Sequence, residues 1–184
     1  HGPLGHWSID ELLALPDTSI DVVLSPTFAG GPFQIPPGTE IFSDEDEINF
    51  QGVSAQLTEV TLVEGSLFYE VVSTVDGYLD VRYELPGVTF SGAPFVLEES
   101  LAPATSEGPA SASGVMSMAG AVLDLSGPNG MSFNRLATDL SVMTPLDVEY
   151  TALVYGADTV QVHLTFSELS PTSAKGYFGQ EEVE

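Results

Sequence analysis

Apolar and polar side chains alternate along much of this chain. In Tyr78–Leu85, Leu79, Val81, Tyr83 and Leu85 fall on one side, and Tyr78, Asp80, Arg82 and Glu84 on the other. Successive side chains of a strand point to opposite faces, so this spacing predicts a half-buried antiparallel strand. The same period recurs in Leu146–Val154 and in Val160–Phe166, with Gly156-Ala-Asp158 between them, which predicts a hairpin. Asp76-Gly77 predicts a second hairpin, pairing the segment Leu67–Thr74 with Tyr78–Leu85. Further strands are expected at Ile20–Leu24, across Val60–Val72 with a bend at Gly65, and within Val115–Leu125. Pro26–Pro37 and Leu101–Gly114 read as loops, and Gly127-Pro-Asn-Gly130 as a turn. About nine or ten strands spaced by turns indicate a sandwich or barrel.

One helix interrupts this pattern. Ser8-Ile-Asp-Glu11 is a capping box, Ile9, Leu12 and Leu13 make one apolar stripe, and Pro16 ends it, so residues 8–15 are expected to be helical. The expected fold class is all-β: an antiparallel β-sandwich, Ig-like or late-embryogenesis-like, with one short N-terminal helix. Its parts are an N-terminal segment at 1–19, the sandwich at 20–175 and a C-terminal extension at 176–184. The bare start at His1 and the stop at Glu184 read as a processed form or a piece of a longer protein.

Charge narrows the function classes. The 184 residues include 27 Asp and Glu against three Lys and Arg, a net charge of -24, while 43% of residues are hydrophobic. That is an acidic folded body with material for a core. Nucleic acid and anionic membrane surfaces are excluded as partners, because both require clustered Lys and Arg. No apolar run reaches the roughly 18 residues of a transmembrane helix. With no cysteine there is no disulfide, thiol nucleophile or thiolate metal site. Many Ser, Thr, Gly and Pro with almost no Lys suit an extracellular or cell-surface setting.

The search for chemistry gives one candidate site. No phosphate-binding Gly-rich loop and no Gly-x-Ser-x-Gly elbow is present. His1 and His6 sit at the start, His163 reads as a solvated strand residue, and Trp7 is the single tryptophan. The run Asp44, Glu45, Asp46 and Glu47 reads as a cation-binding turn for Ca²⁺, which takes several hard oxygen ligands. It lacks the Asp-x-Asp-x-Asp-Gly register of a known Ca²⁺ loop. Asp17 and Asp21 are further carboxylates that folding could bring to it.

Several segments carry a resemblance. Pro3–Leu13, the stretch Leu57–Ala93 with Leu85-Pro-Gly-Val and Ser91-Gly-Ala-Pro-Phe95, Leu123-Asp-Leu-Ser-Gly127 and Gly176-Tyr-Phe-Gly-Gln180 together resemble uncharacterised surface lipoproteins of Bacteroidota. The resemblance implies a short helix before a β-sandwich and a chain that continues past the last motif. It carries over no activity and no catalytic residue, and the lipidated cysteine is missing. A looser similarity, at fold level, is to late-embryogenesis-type β-sandwich domains.

These readings lead to a non-catalytic extracellular structural or interaction subunit of a cell-surface assembly, such as a fibre, layer or envelope complex. It would join by self-assembly or enter a larger surface complex, with strand addition at Lys-free edges as the expected mode. Two alternatives stand beside it. One is a lipid or hydrophobic-ligand carrier, with Leu67–Val72 either lining a cavity or forming a central strand buried on both faces. The other is a hydrolase using two carboxylates.

Overall fold

The computed structural model describes residues 15–51, 53, 55–149 and 151–177. The expected helix at 8–15, His1, His6, Trp7 and Tyr150 lie outside the described residues, Leu15 excepted. Eleven strands run in order: β1 (Thr18–Leu24), β2 (Phe33–Ile35), β3 (Glu40–Asn49), β4 (Gln56–Ser73), β5 (Leu79–Phe90), β6 (Ala93–Leu101), β7 (Ala110–Ser117), β8 (Ala121–Asp124), β9 (Arg135–Met143), β10 (Ala152–Val154) and β11 (Val160–Tyr177). No helix among the described residues is long and apolar enough to cross a membrane.

Nine strands form one antiparallel sheet in the order β1-β11-β4-β8-β5-β9-β3, with β6 on β5 and β7 on β4, while β10 and β2 make a separate pair. The long strands carry the fold around its corner. The first half of β4 pairs with β8 and the second half, from Ser66, pairs with β7. Gly65 lies between the halves at φ +152, where an added Cβ would come within 2.8 Å of the Leu169 side chain, so the bend requires glycine. Strand β11 carries its bulges over the corresponding stretch, Ser167–Ser173. The result is two four-stranded layers, β1-β11-β4-β7 and β3-β9-β5-β6, bridged through β8. Their edges approach each other, β1 toward β3 and β6 toward β7.

Alternation explains the core. The inner positions of both layers, among them Leu67, Val71, Val81, Tyr83, Leu140, Val162 and Phe166, belong to one buried cluster. The expected all-β antiparallel fold is therefore present, as a single sheet wrapped nearly closed on itself, and the parity of Leu79–Leu85 and Val160–Phe166 is as read from the sequence.

Strand pairing departs from expectation in several places. Asp76-Gly77 does not close a hairpin: β4 pairs with β11, β7 and β8, and β5 with β6, β8 and β9, so the link 74–78 crosses between layers. Gly77 is required for that crossing, since a Cβ there would sit 2.3 Å from Ala152 Cβ. Val160–Phe166 pairs with β1 and β4 rather than with the 146–154 segment, which shrinks to β10 and takes β2 as partner. Strand β2 lies in a stretch read as loop, and β7 begins inside another. Leu67–Val72 is not buried on both faces: Leu67, Tyr69 and Val71 are buried, while Phe68 and Glu70 are exposed outward.

Candidate functional site

The acidic run is a strand, not a turn. Asp44, Glu45, Asp46 and Glu47 all lie in β3, paired in register with Leu140, Asp139, Thr138 and Ala137 of β9. Four charged residues in sequence look like a solvated turn, yet Phe42 and Ile48 on either side are buried and the ladder is continuous. Strand geometry then divides the four. By parity Asp44 and Asp46 fall on the side of Phe42 and Ile48, and Glu45 and Glu47 on the other, but at this edge strand Asp46 is exposed, Asp44 half-buried and Glu47 half-buried. The second pair joins a charged surface: Glu47 pairs with Arg135, and Glu45 stands opposite Asp139, itself opposite Glu84. Asp17 and Asp21 are not drawn in. Asp17 Oδ1 accepts a hydrogen bond from the Glu168 backbone N at 3.0 Å, and Asp21 binds His163. Among the described residues, no group of three or more His, Cys, Asp or Glu is placed to hold a metal.

On the side they share, Asp44 and Asp46 have a neighbour that sequence reasoning did not single out. Tyr83 is 1% exposed, and its hydroxyl has no hydrogen-bond partner. Burial holds that hydroxyl above the usual tyrosine pKa, the nearby Thr138 hydroxyl pulls it back, and the charges of Asp46 and then Asp44 raise it further. The clue available in the sequence was parity: Tyr83 shares a side with Leu79, Val81 and Leu85.

The outer face of β1-β11-β4-β7 is built differently. Three cross-strand rows cover it. Asp21, His163, Glu70 and Ser113 form the middle row. Ser19, Thr165, Phe68 and Val115 flank it on one side, and Val23, Gln161, Val72 and Ser111 on the other. Val23 and Val115 are 57% and 68% exposed. A shallow groove of about 280 Å³ runs between Val23, Val72 and His163. The sequence hid this face because β7 reads Ala-Ser-Ala-Ser-Gly-Val-Met-Ser, an alternation of small residues easily taken for a loop.

His163 is more than a solvated strand residue. Its Nδ1 donates to Asp21 Oδ1 at 2.7 Å, and its Nε2 lies 3.0 Å from Thr165 Oγ1, which is 2.9 Å from Ser19 Oγ. The Phe68 ring stands edge-on to the imidazole with centroids 6.2 Å apart. Carboxylate, imidazole and hydroxyl follow the order of a hydrolase triad, but catalysis of that type also needs donors aimed at a developing oxyanion. Here the hydroxyl belongs to Thr165 of β11, whose flanking backbone N–H groups are taken up by the ladders to β1 on one side and β4 on the other. The arrangement instead clasps edge strand β1 to β11.

No family model and no curated protein matches the chain. Three solved structures show weak similarity. The infectious bursal disease virus VP2 subviral particle aligns at 13% identity and a TM-score of 0.31, over 94% of this chain and 43% of that one. Desmodium yellow mottle tymovirus aligns at 9% identity and a TM-score of 0.22, over 88% and 92% of the two chains. The infectious bursal disease virus Gt strain aligns at 13% identity and a TM-score of 0.17, over 86% and 45%. The chain thus spans less than half the length of the VP2 chain it matches. Likeness of this size carries no statement about function.

Proposed function

We propose that this protein is a non-catalytic structural subunit that joins further copies of itself through the outer face of β1-β11-β4-β7, in an assembly outside the cell or on its surface. The observation that carries the reading is the uneven distribution of charge. Two bodies of net charge -24 repel each other, so contact is favoured where carboxylates are sparse. The opposite outer face, on β3-β9-β5-β6, bears Glu45, Glu47, Asp139, Asp80, Glu84 and Glu98, with Arg82 and Arg135 as its cations. The β1-β11-β4-β7 face bears Asp21 and Glu70, and His163 stands between them. A second copy related by a two-fold axis can set its own imidazole against these carboxylates while Val23, Phe68, Val72 and Val115 supply apolar contact.

Sedimentation analysis of the native chain across concentration tests the reading at physiological salt. Oligomers are expected, and Val115→Glu together with Val23→Glu should return them to monomers without altering the fold. Ser43→Glu, on the opposite face, should leave association unchanged. A native chain that stays monomeric at all concentrations, or association indifferent to Val115→Glu and Val23→Glu, would overturn it.

The composition that supports an extracellular place is the near absence of Lys beside abundant Ser, Thr, Gly and Pro. Detection of the native protein in the cytosolic fraction alone would remove that part of the reading. The carrier alternative loses its residue basis, since Phe68 and Val72 point outward and the space between the layers is filled by side chains such as Phe50, Phe166 and Tyr83.

A further inference from the structure

A sheet whose ends do not hydrogen-bond to each other leaves strand edges open. In the nine-stranded sheet, β1 pairs with β11 alone, β3 with β9, β6 with β5 and β7 with β4. Every second residue of such a strand turns its backbone N–H and C=O away from the sheet, where another strand can take them up. Folded proteins guard these edges with charge, proline or bulges. Strand β3 carries Glu40, Asp44, Glu45, Asp46 and Glu47, and its register shifts between Glu40 and Phe42. Strand β6 carries Pro94, Glu98 and Glu99, and its register with β5 also breaks. Strand β1 carries Asp21, with Asp17 just before it.

Strand β7 has none of these guards. Ala110–Ser117 holds no charged residue and no proline, and it pairs with β4 from Ser73 to Ser66 without a shift in register. It sits within residues 108–123, a stretch free of Asp, Glu, Lys and Arg in a chain of net charge -24. Solvent reaches both of its sides. Ser111, Ser113, Val115 and Ser117 are exposed, and Ala110, Ala112, Gly114 and Met116 are only half-buried, although their β4 neighbours Leu67 and Val71 are fully buried. Strand β6 of the other layer comes near this edge but forms no ladder with it.

We propose that β7 pairs antiparallel with β7 of a second copy, joining two β1-β11-β4-β7 layers into one eight-stranded sheet. Charge decides which edge can do this. Neighbouring strands lie about 4.8 Å apart, so pairing β1, β3 or β6 with its own copy brings carboxylates of two acidic bodies within one or two such spacings. At a β7–β7 junction the nearest carboxylates within the layer are the Glu70 of each copy, opposite Ser113. They stand at least three spacings apart, about 14 Å, beyond the ~10 Å Debye length at 0.1 M salt. A two-fold axis normal to the sheet keeps outer side chains opposite outer ones, and centred on Ser113 or Gly114 it pairs all of Ala110–Ser117 but one residue. The partner is a second copy, so this inference rests on the self-association proposed above, but it uses a different contact. The face contact, being two-fold, closes on itself as a dimer. An edge contact with its own two-fold axis joins those dimers into tetramers or chains.

The test uses the 184-residue chain at constant salt. Residue-resolved hydrogen exchange compares dilute with concentrated protein, beside sedimentation. On association, amides of every second residue in Ala110–Ser117 should slow about tenfold or more, while those at the edges of β3 and β6 keep their monomer rates. Val23→Glu, on β1 at the far side of the layer, acts on the face contact alone and should leave dimers with β7 still protected. Ala112→Lys puts an inward-pointing charge at the open edge and leaves the outer face untouched, so β7 should return to monomer rates. Val115→Glu lies on β7 as well as on the face, so the Val115→Glu, Val23→Glu protein loses both contacts. If Ala112→Lys does not fold, the exchange pattern of the unmodified chain still decides. Oligomers whose β7 amides exchange at the monomer rate overturn the edge contact and leave the face contact standing. So does protection that persists in folded Ala112→Lys protein. Protected β7 with association indifferent to Val23→Glu sustains the edge contact and removes the face contact. A chain monomeric at every concentration removes both.

Discussion

Asn134 shows how one side chain can fix a junction. Its backbone is left-handed, φ 57, a conformation asparagine tolerates better than most residues. Its Oδ1 accepts from the Leu57 backbone N at 2.9 Å, and its Nδ2 donates to the Ala55 carbonyl at 2.9 Å. Its own backbone N donates to the Leu57 carbonyl at 3.0 Å, and its carbonyl accepts from the Phe50 N at 2.9 Å. The residue thus stitches the entry to β4 and the exit from β3 onto β9, beside the fully buried Phe50 and Leu57. Asn134→Ala leaves the Leu57 N–H unpaired and places a Cβ without a compensating bond in the left-handed region. The expected loss is about 2–3 kcal/mol in urea unfolding. Asn134→Gly keeps the backbone freedom and loses the side-chain bonds, so it should cost about 1 kcal/mol less than the alanine variant. Equal losses would mean that backbone conformation contributes nothing here.

At the scale of the element, close approach between layers depends on strand β7. Its inner side carries Ala110, Ala112, Gly114 and Met116, and Gly114 stands directly opposite Tyr69 of β4. A Cβ at position 114 would fall 2.5 Å from Tyr69 Oη and 2.7 Å from its ring. Glycine therefore lets the tyrosine lie across β7 and donate its hydroxyl to Glu99 Oε1 of β6 at 2.5 Å, a polar bond between the two layers. That bond to a carboxylate, with burial adding to it, holds the Tyr69 hydroxyl above its usual pKa. Gly114→Ala should displace the ring at a cost of about 1–3 kcal/mol. It should also let Tyr69 ionise at lower pH, read as tyrosinate absorbance. The sign is fixed: a raised folded-state pKa means stability present below the unfolded value of about 10 and lost as pH rises through the folded one. The variant should therefore lose less stability than the parent between neutral and strongly alkaline pH. An unchanged alkaline titration would show that the ring had never needed the gap.

The same elements show what the sequence could and could not convey. Period two identifies strands and their inner sides because it reflects a local property of the backbone. Leu79, Val81, Tyr83 and Leu85 were assigned to the correct side for that reason. Pairing is not local. Asp76-Gly77 signals a sharp reversal, and such a reversal serves a crossing between layers as well as a hairpin. Strand β6 escapes the period-two reading, although Ser91-Gly92 with φ 51 and 84 supplies the two left-handed residues of a tight hairpin turn. The acidic run illustrates the opposite failure. Its charges suggested a turn and a four-carboxylate site, whereas the parity of Phe42 and Ile48 divides them between faces. The β1-β11-β4-β7 surface was illegible because no single strand displays it: Val23, Phe68 and Val115 become one patch only through three registers.

For the whole molecule, the decisive quantity is uncompensated charge. The cations are all engaged, Arg82 with Glu84 and Glu98, Arg135 with Glu47 and Lys175 with Glu59. These pairs are solvent-exposed, and such pairs contribute about 0–1 kcal/mol each. Among the described residues, most Asp and Glu consequently face no Lys or Arg and repel one another across the folded surface. Compaction raises that repulsion, so the fold is strained electrostatically relative to the expanded chain. Salt should relieve it. The Debye length falls from about 30 Å at 0.01 M to about 10 Å at 0.1 M, short enough to separate one face of the sandwich from the other. Thermal unfolding with NaCl, in chelator to keep divalent ions out, should give a melting temperature that rises by several degrees between about 10 mM and 0.5 M. Self-association should strengthen over the same range, unlike a complex held by opposite charges, which salt weakens. The Val115→Glu, Val23→Glu protein separates the two effects: its melting temperature should still rise with salt while it remains monomeric. A melting temperature that falls as salt is added would mean that the few ion pairs outweigh the repulsion, and the charge argument for which face meets a second copy would fail with it.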